Sequence, residues 1–568
     1  MLRTFSEHHV RPATSLAGLW DFIVARDRRD KARLPKNYTR KISVPSCWEN
    51  LPGLETYRGK GWLHTTVPAT PGKALRLVFG GVSHTATVYV DGKAAGRHYD
   101  AYSTWDIIVP PGRKRSHEVV VEADNTFGPH SCLHHGDDFY SYGGITRPVE
   151  AQTVPEVFID KLFAVPRRTG KTWALDLRVR LRNWSDTSLR RRVVVAVARR
   201  QFDLGRVTVR PGATREVKGA LSGLSVEPWT AETPRLYDVT AQLTDGNTVA
   251  DDLIDRVGFR EVCVKGSKLL LNGRPIRLQG YNRHEDHFNF GCALPIEIMV
   301  HDLALLRDLG CNFVRTSHYP NDMRFLDLCD ELGFYVWEES HSKTVDLKHP
   351  LFRTQLKDHT VEMIEWHFNR PSIIIWGCLN ECISHTRQGR TQHAWTLALM
   401  RKLDASRPVT YASFRGNDIC FDLVDIIGFN LYPGWYWGEV KDVEEATDGF
   451  VRDVRRGKYP GAKNKPIIFS EFGAGALPGY HDPRDPKWSE EYQAKVLDEC
   501  LRVFLNHPGL VGAAIWQFCD VRATEGAMNP RVMNNKGTVD ECRRPKRAYE
   551  VVKQRMHEAR ARHAPSDL

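Results

Sequence analysis

The chain has 568 residues, is 41% hydrophobic and 26% charged, and so has the length and composition of a multidomain globular protein. Its net charge of +11 comes from 80 basic and 69 acidic residues. Much of the excess lies in local runs, such as residues 189–192 and the tail 543–562, which are typical of solvated surfaces. The basic residues do not alternate with aromatic residues, so nucleic-acid binding is not expected. No run of about 18 apolar residues occurs, so no membrane span is expected.

The N-terminal segment and the cysteines together favour a cytoplasmic location. The first 20 residues, MLRTFSEHHVRPATSLAGLW, lack the apolar core of a signal peptide. Many of the 12 cysteines lie inside apolar runs, and no CxxC motif occurs. We therefore expect neither a disulfide framework nor a zinc site, and the sequence indicates no cofactor.

Residues 1–154 are rich in short strands, turns and tryptophans, which is typical of a jelly-roll β-sandwich. The runs ALRLVFGGV and TATVYVDGKAAGRH predict two strands followed by a hairpin that turns at Asp91 and Gly92. A second all-β segment, residues 155–262, has the length of an immunoglobulin-like sandwich. Within it, TWALDLRVRLRN alternates apolar and polar residues, as a strand with one buried face does.

From residue 263 to residue 568 the pattern changes to alternating strands and helices. Apolar residues at helical spacing, Ile296, Met299, Leu303 and Leu306, predict the first helix. Eight strand–helix units in about 300 residues are the signature of a (β/α)₈ barrel. The predicted strands are residues 276–281, 313–316, 334–339, 373–380, 409–412, 426–430, 467–471 and 511–518.

Two of these β-rich runs end in glutamate. SIIIWGCLNE ends at Glu381, and KPIIFSEFG contains Glu471. A buried strand should not end in a carboxylate unless that group has a partner or a chemical role. Paired carboxylates at the C-terminal rim of a barrel suit glycoside hydrolysis, in which one carboxyl protonates the leaving oxygen and the other attacks or activates water. The nucleophile should have a low pKa, and the acid a raised one.

Two longer motifs carry a resemblance to a known family. NFVRTSHYP, residues 312–320, and NRPSIIIWGCLNE, residues 369–381, resemble the two signatures of glycoside hydrolase family 2. This is the family of retaining β-galactosidases, β-mannosidases and β-glucuronidases. The pair His367–Phe368 departs from the charged pair usual in the family, but it precedes the strand. The two predicted β-sandwiches also fit the family, so the resemblance covers nearly the whole chain.

The resemblance implies roles for individual residues. Glu381 matches the family's general acid/base, and Glu471 matches its nucleophile. Asn380 matches the asparagine that hydrogen-bonds the 2-hydroxyl of the sugar. Retention of configuration implies carboxyl groups about 5–5.5 Å apart.

One stretch after the eighth strand narrows the substrate. Residues 531–537, RVMNNKG, resemble the Asn-x-Lys motif with which β-glucuronidases hold the C6 carboxylate of the sugar. Lys536 would supply a charge, Asn534 an N–H group, and Arg531 is a third candidate, although its spacing to the motif is one residue shorter than in bacterial glucuronidases. The same letters are also good turn composition.

Further matches support a uronide-binding site. Asp138, in DDFYSYGGITRP, resembles an aspartate that reaches from the first domain to the distal hydroxyls of the sugar. Tyr432 and Tyr436, in FNLYPGWY, have the spacing of a glucuronidase motif. His318 resembles a substrate-facing histidine. Trp516 lies near the end of the eighth predicted strand, at the rim, where aromatic rings suit the apolar face of a sugar.

These observations predict an exo-acting retaining β-glucuronidase. A β-galacturonidase, or a β-galactosidase in which Lys536 is incidental, stays open as an alternative within the family. A non-catalytic carbohydrate-binding protein on the same scaffold is the alternative from another class. The expected partner is a carbohydrate, a β-linked uronide or the end of an oligosaccharide. The resemblance leaves a homo-oligomer open.

Overall fold

A computed structural model describes residues 1–25, 34–524 and 529–563 of the chain. Its N-terminal part is a β-sandwich with a six-stranded and a four-stranded antiparallel sheet. The predicted hairpin is confirmed, because Asp91 and Gly92 both have positive φ between two paired strands. In sheet order, the six-stranded sheet contains Arg40–Val44, Gly18–Val24, Lys60–Pro68, Ser116–Asp124, Thr85–Val90 and Lys93–Tyr99. The four-stranded sheet contains Ala13–Ser15, Val149–Val154, Ala74–Phe79 and Trp105–Val109. A separate pair is formed by Val82–Ser83 and Gly144–Ile145.

A second sandwich follows, with one three-stranded and one four-stranded sheet. The strand predicted from its alternation spans Thr172–Asn183, and its apolar residues from Leu175 to Leu181 are buried in the core between the sheets. A small antiparallel sheet leads from this sandwich into the barrel. In sheet order, the three-stranded sheet of the sandwich contains Val157–Thr169, Thr172–Asn183 and Thr214–Leu224. The four-stranded sheet contains Arg200–Val209, Leu189–Val197, Tyr237–Asp245 and Thr248–Val257. The small sheet before the barrel contains Val262–Lys265, Lys268–Leu271 and Arg274–Pro275.

The remaining chain forms a closed barrel of eight parallel strands, as predicted. The strands, named β1 to β8, are Leu278–Asn282, Phe313–Thr316, Tyr335–Glu339, Ile373–Cys378, Val409–Ser413, Ile427–Asn430, Ile467–Phe472 and Gly512–Ile515. The helices, named α1 to α7, are Ile296–Asp308, Met323–Leu332, Phe352–His367, Arg387–Leu403, Val443–Arg456, Glu490–Phe504 and Ala548–His563. Short 3₁₀ turns are Trp48–Asn50, Phe421–Leu423, Val440–Asp442 and Pro530–Val532, and a strand pair after β8 joins Val521–Arg522 to Met533–Asn534.

The two ends of the barrel are built differently. Trp229 of the second sandwich packs in one apolar cluster with residues that begin barrel strands, such as Leu278 and Phe313, and its indole donates to the Asp330 carbonyl at 2.9 Å. This apolar cluster lies at the N-terminal end of the strands, and the C-terminal end of the strands is the polar end. Charged and hydrogen-bonding side chains are buried there, which is where barrel enzymes place their active sites.

The first sandwich docks at the polar end. Tyr102 stacks on Tyr319, which follows β2, with ring centroids 3.8 Å apart. The buried Arg147 guanidinium pairs with Glu285 at 2.7 Å. Glu285, which follows β1, therefore joins the two domains. In the part of the chain that the structure describes, no helix is both long and apolar enough to cross a membrane.

Candidate active site

The two glutamates reach the barrel mouth from different backbone settings. Glu471 lies inside β7 and is 4% exposed. β4 ends at Cys378, so Glu381 stands three residues beyond the strand, in a turn in which both Leu379 and Glu381 have positive φ. Positive φ is uncommon for residues with a Cβ and is found at functional sites, where the surroundings hold the backbone in place. Here the Glu381 amide donates to the Ala412 carbonyl at 2.9 Å.

Arg315, the third residue of β2, connects the groups around Glu471. Its fully buried guanidinium forms a two-pronged ion pair with Glu339 of β3, with both N–O distances 2.9 Å. The same guanidinium donates to Glu471 at 2.8 Å, to Asn282 at 2.9 Å and to Asn380 at 2.9 Å. A planar fork of donors can hold several carboxylate and amide oxygens in one fixed geometry, which a lysine could not do.

Glu471 is held at both carboxylate oxygens. Arg315 donates to Oε1, and the Tyr432 hydroxyl donates to Oε2 at 2.9 Å. Burial raises the pKa of Glu471 to about 7, and the charge of Glu381 adds to the rise, while Arg315 and Tyr432 oppose it. The low pKa expected for the nucleophile is therefore not found, because desolvation outweighs the ion pair. The dependence on Glu381 indicates that the two carboxyl groups are close enough to interact.

Asn380 presents an unused donor beside these carboxylates. Its Oδ1 accepts from Arg315, which fixes the orientation of the amide, and its buried Nδ2 has no hydrogen-bond partner among the described residues. A buried N–H without a partner costs free energy, of order 1–3 kcal/mol, unless a ligand satisfies it. Asn430, at the end of β6, donates to Glu381 at 2.8 Å and accepts from Ser470 at 2.7 Å. The acid/base candidate is thus oriented by a neighbouring amide.

His318 and Trp516 form one wall of the site. Their rings stack with centroids 4.8 Å apart, and His284 meets Trp516 edge-on at 5.4 Å. His318 Nδ1 lies 2.8 Å from Glu339, and burial lowers the pKa of His318 well below its usual value. Burial likewise lowers the pKa of His284 to about 3. Nε2 of each ring is buried and, within the described ranges, has no partner, so two neutral imidazoles leave hydrogen-bonding capacity for a ligand.

Asp138 comes from the first sandwich and meets the barrel at this mouth. Its carboxylate pairs with Lys343, which follows β3 and also pairs with Asp137. Although burial opposes it, the Lys343 ammonium holds the pKa of Asp138 well below its ordinary value. Asn534 Nδ2 donates to Asp138 at 3.1 Å, and the Asn534 Oδ1 is buried without a partner in the described part of the chain. The side-chain N–H of Asn534, which was predicted to bind the carboxylate of a sugar, therefore donates to Asp138.

Lys536 is a cation that lacks a carboxylate partner among residues 1–25, 34–524 and 529–563. It is 5% exposed, and its ammonium lies 5.8 Å from the Trp435 ring centroid and 5.5 Å from that of Tyr436. Its charge helps to lower the pKa of Asp138. Tyr436 is 65% exposed and packs edge-on against Tyr432 at 5.0 Å. A buried lysine whose ammonium has no carboxylate partner among the described residues is suited to binding an anionic group of a ligand.

Arg531 does not join this group. It lies in the 3₁₀ turn Pro530–Val532, its side chain is 43% exposed, and its guanidinium pairs with Glu541. No hydrogen bond or ion pair connects Arg531 to another predicted site residue in the described ranges. All the other predicted residues are connected at the mouth through direct contacts or shared partners. The altered spacing before the Asn-x-Lys motif is consistent with this outward position of Arg531.

Sequence reasoning missed Glu339 and Lys343, and it gave Arg315 and Asn430 no role. Glu339 ends a buried strand in the same way as the two glutamates that were recognised, so that signal could have found it. Lys343 carries no such signal, because its importance depends on a loop of the first sandwich that is about 200 positions distant in sequence.

The hydrogen bond from Tyr432 predicts a pH effect. Because that bond lowers the pKa of Glu471, Tyr432→Phe should raise this pKa and move the acidic limb of the kcat/KM profile to higher pH. The wild type should lose activity as the pH falls through about 7, and the variant should lose activity at a higher pH. Tyr436→Phe, which leaves the bond intact, should not move the limb. A limb unchanged in Tyr432→Phe would contradict the assignment of Glu471 as the group that must be ionised.

Comparison with known proteins agrees with this fold. The family model described as the TIM barrel domain of glycosyl hydrolases family 2 matches residues 262–560, and a second model of the same family matches residues 157–260. The chain is 27% identical over 595 residues to a β-glucuronidase of Streptococcus agalactiae, covering 96% of each chain.

Two solved structures share the whole architecture. A β-galacturonidase from Eisenbergiella tayi, bound to galacturonate, is 41% identical with a TM-score of 0.93, covering 98% of this chain and 99% of that one. A β-glucuronidase from Ruminococcus gnavus is 28% identical with a TM-score of 0.85, again covering 98% and 99%. The family model alone spans more than half of the sequence, and the chain is a glycoside hydrolase that belongs to family 2.

Proposed function

We propose that this enzyme is an exo-acting, retaining β-uronidase that removes a terminal β-linked galacturonic acid. The observation that carries the proposal is Lys536, a buried residue whose ammonium lies at the barrel mouth without a carboxylate partner in the described chain. The C6 carboxylate of a uronic acid would supply that partner. A neutral hexose, which has a CH₂OH group at C6, would leave the ammonium desolvated and unpaired.

The carboxyl pair would act by double displacement. Glu471, oriented by Arg315 and Tyr432, attacks the anomeric carbon while Glu381 gives its proton to the departing glycosidic oxygen. The glycosidic bond breaks as the glycosyl–Glu471 ester forms. Glu381, now ionised, takes a proton from water, and that water releases the sugar with retained configuration. The free N–H of Asn380 would bind the 2-hydroxyl, a contact that strengthens as positive charge develops on the ring.

The position of Asp138 supports exo action. The loop of the first sandwich that carries Asp138 crosses to the barrel, and Lys343 and Asn534 hold its carboxylate there. A wall that closes the glycone end of a cleft leaves room for one terminal sugar.

Galacturonide and glucuronide differ only in the configuration at C4. Likeness to the Eisenbergiella tayi β-galacturonidase, at 41% identity over nearly all of both chains, favours the galacturonide. The β-glucuronidases of Streptococcus agalactiae and Ruminococcus gnavus are 27–28% identical to this chain, which keeps the glucuronide as the second candidate.

A panel of three nitrophenyl β-glycosides tests the substrate class. We expect kcat/KM for the galacturonide to exceed that for the glucuronide, and to exceed that for the galactoside by at least about 100-fold, because a site built for a buried polar partner rejects an analogue without it. NMR of the first-formed sugar should show the β-anomer. A preference for glucuronide would favour the second candidate, whereas equal turnover of the galactoside would overturn the uronidase proposal.

The role of Lys536 can be tested with a pair of matched substitutions, one at Lys536 and one at a control lysine. Lys536→Met removes the charge but retains the aliphatic stem, and it should lower kcat/KM for the preferred uronide at least about tenfold, since a desolvated charged pair is lost. The weaker activity on galactoside should change little. Lys487 also lies over the Trp435 ring, at 5.7 Å, but is exposed and donates to the Trp435 carbonyl. Lys487→Met should therefore not alter the ratio of the two activities, and an equal loss on both substrates in Lys536→Met would contradict the carboxylate role.

A further inference from the structure

A short segment after β5, residues 414–417, lies beside the turn that carries Glu381. The Glu381 amide donates at 2.9 Å to the carbonyl of Ala412, and β5 ends at the next residue, Ser413. The Ser413 hydroxyl lies 3.4 Å from the hydroxyl of Ser384, which follows Glu381 in the chain. The segment therefore begins at the barrel mouth, next to the candidate acid.

The leaving group of a glycoside must lie next to the acid that protonates it. In the proposed function, Glu381 gives its proton to the glycosidic oxygen, and Asn380 binds the sugar whose bond is cut. The atoms beyond that oxygen would then lie on the Glu381 side of the site. Segment 414–417 is therefore placed to contact the leaving group.

Phe414 and Arg415 offer two kinds of contact at this position. Phe414 is 41% exposed, and the guanidinium carbon of Arg415 lies 4.0 Å from the centroid of its ring. The exposed part of an aromatic ring is suited to stacking with another ring, including the apolar face of a sugar. The contact between the guanidinium and the ring also limits where the charge of Arg415 can lie.

No ion pair joins Arg415 to a carboxylate within residues 1–25, 34–524 and 529–563. The acidic residue nearest to it in sequence, Asp418, accepts hydrogen bonds from three neighbouring hydroxyl groups. Arg415 Nε and His385 Nδ1 are buried and, over the same ranges, have no hydrogen-bond partner. A guanidinium in this state is suited to a carboxylate, which can accept two parallel hydrogen bonds from it.

We propose that Phe414 and Arg415 form a subsite for a leaving group that carries a carboxylate. This subsite rests on the proposed function, since it requires Glu381 to be the acid. The ring of the leaving group would stack on Phe414, and its carboxylate would accept hydrogen bonds from Arg415. A second uronic acid and an aromatic acid share this chemistry. The enzyme would then recognise negative charge on both sides of the bond that it cuts, with Lys536 on the glycone side.

A pair of matched leaving groups tests the subsite. The meta-carboxyphenyl and meta-carbamoylphenyl β-uronides are similar in size, but only the first leaving group is charged. We expect kcat/KM for the first to be at least about threefold higher, since a partly exposed ion pair changes binding by a small factor. Arg415→Gln should bring the ratio close to one, and Arg415→Lys should retain part of it.

The control substitution is Arg200→Gln. Arg200 is exposed, and its guanidinium carbon lies 5.0 Å from the centroid of the Phe202 ring, so it makes the same kind of contact as Arg415. It belongs to a strand of the second sandwich, Arg200–Val209, and not to the barrel. Arg200→Gln should therefore leave the ratio for the two leaving groups as it is in the wild type.

Disaccharides show which kind of acid the subsite takes. Faster cleavage of a β-uronosyl disaccharide whose leaving sugar is a uronic acid than of one whose leaving sugar is neutral would assign a sugar acid. A preference confined to the aryl pair would assign an aromatic acid. High salt should reduce either preference in the wild type, which makes this part of the test independent of any variant.

Two results would overturn the subsite: equal rates within both pairs in the wild type, or a preference that Arg415→Gln leaves unchanged. Each ratio compares two leaving groups on the same glycone. A negative result would therefore leave the preference for a uronide intact, and equal turnover of the galactoside, which would overturn the uronidase proposal, would leave these ratios unaffected.

Discussion

A single buried guanidinium organises the catalytic end of this barrel. Arg315 of β2 donates to Asn282 of β1, Glu339 of β3, Asn380 after β4 and Glu471 of β7. These partners come together only when the barrel is closed, so the active-site arrangement depends on the completed fold. One positive charge faces two buried carboxylates in this network, and it cannot balance both. Burial therefore raises the pKa of Glu339 as well as that of Glu471.

Several buried polar atoms around this network have no hydrogen-bond partner among the described residues, and they indicate which groups a ligand would carry. Asn380 Nδ2, Asn534 Oδ1 and the Nε2 atoms of His318 and His284 are buried without partners among the described residues. Native proteins leave few such atoms, and a concentration of them at one mouth indicates groups that a ligand completes. Donors and acceptors next to the Trp516 ring suit the hydroxyl groups and the apolar face of a sugar. In the proposed function, the Lys536 ammonium is the group that would separate a uronic acid from a neutral hexose.

The sequence predicted the barrel and placed the candidate carboxyl pair at its mouth because both depend on local patterns. Consecutive β-branched residues identified β4, and the glutamates that follow or end such runs marked the rim. The predicted strand 373–380, which precedes Glu381, was too long, since β4 ends at Cys378 and the glutamate stands in a turn with positive φ. The direction of the Asn534 amide and the outward position of Arg531 depend on tertiary partners, Asp138 and Glu541, that no local pattern specifies. Contacts between distant segments also explain why Lys343 was missed.

We propose that the network around Arg315 presents Glu471, and not another buried carboxylate, to the anomeric carbon. Incubation with a 2-deoxy-2-fluoro uronide, which slows hydrolysis of the covalent intermediate, followed by proteolysis and mass spectrometry, tests it most directly. The account predicts one label per chain, attached to the peptide residue Glu471. A label on Glu381 or Glu339 would contradict it, as would turnover with inversion and no covalent adduct.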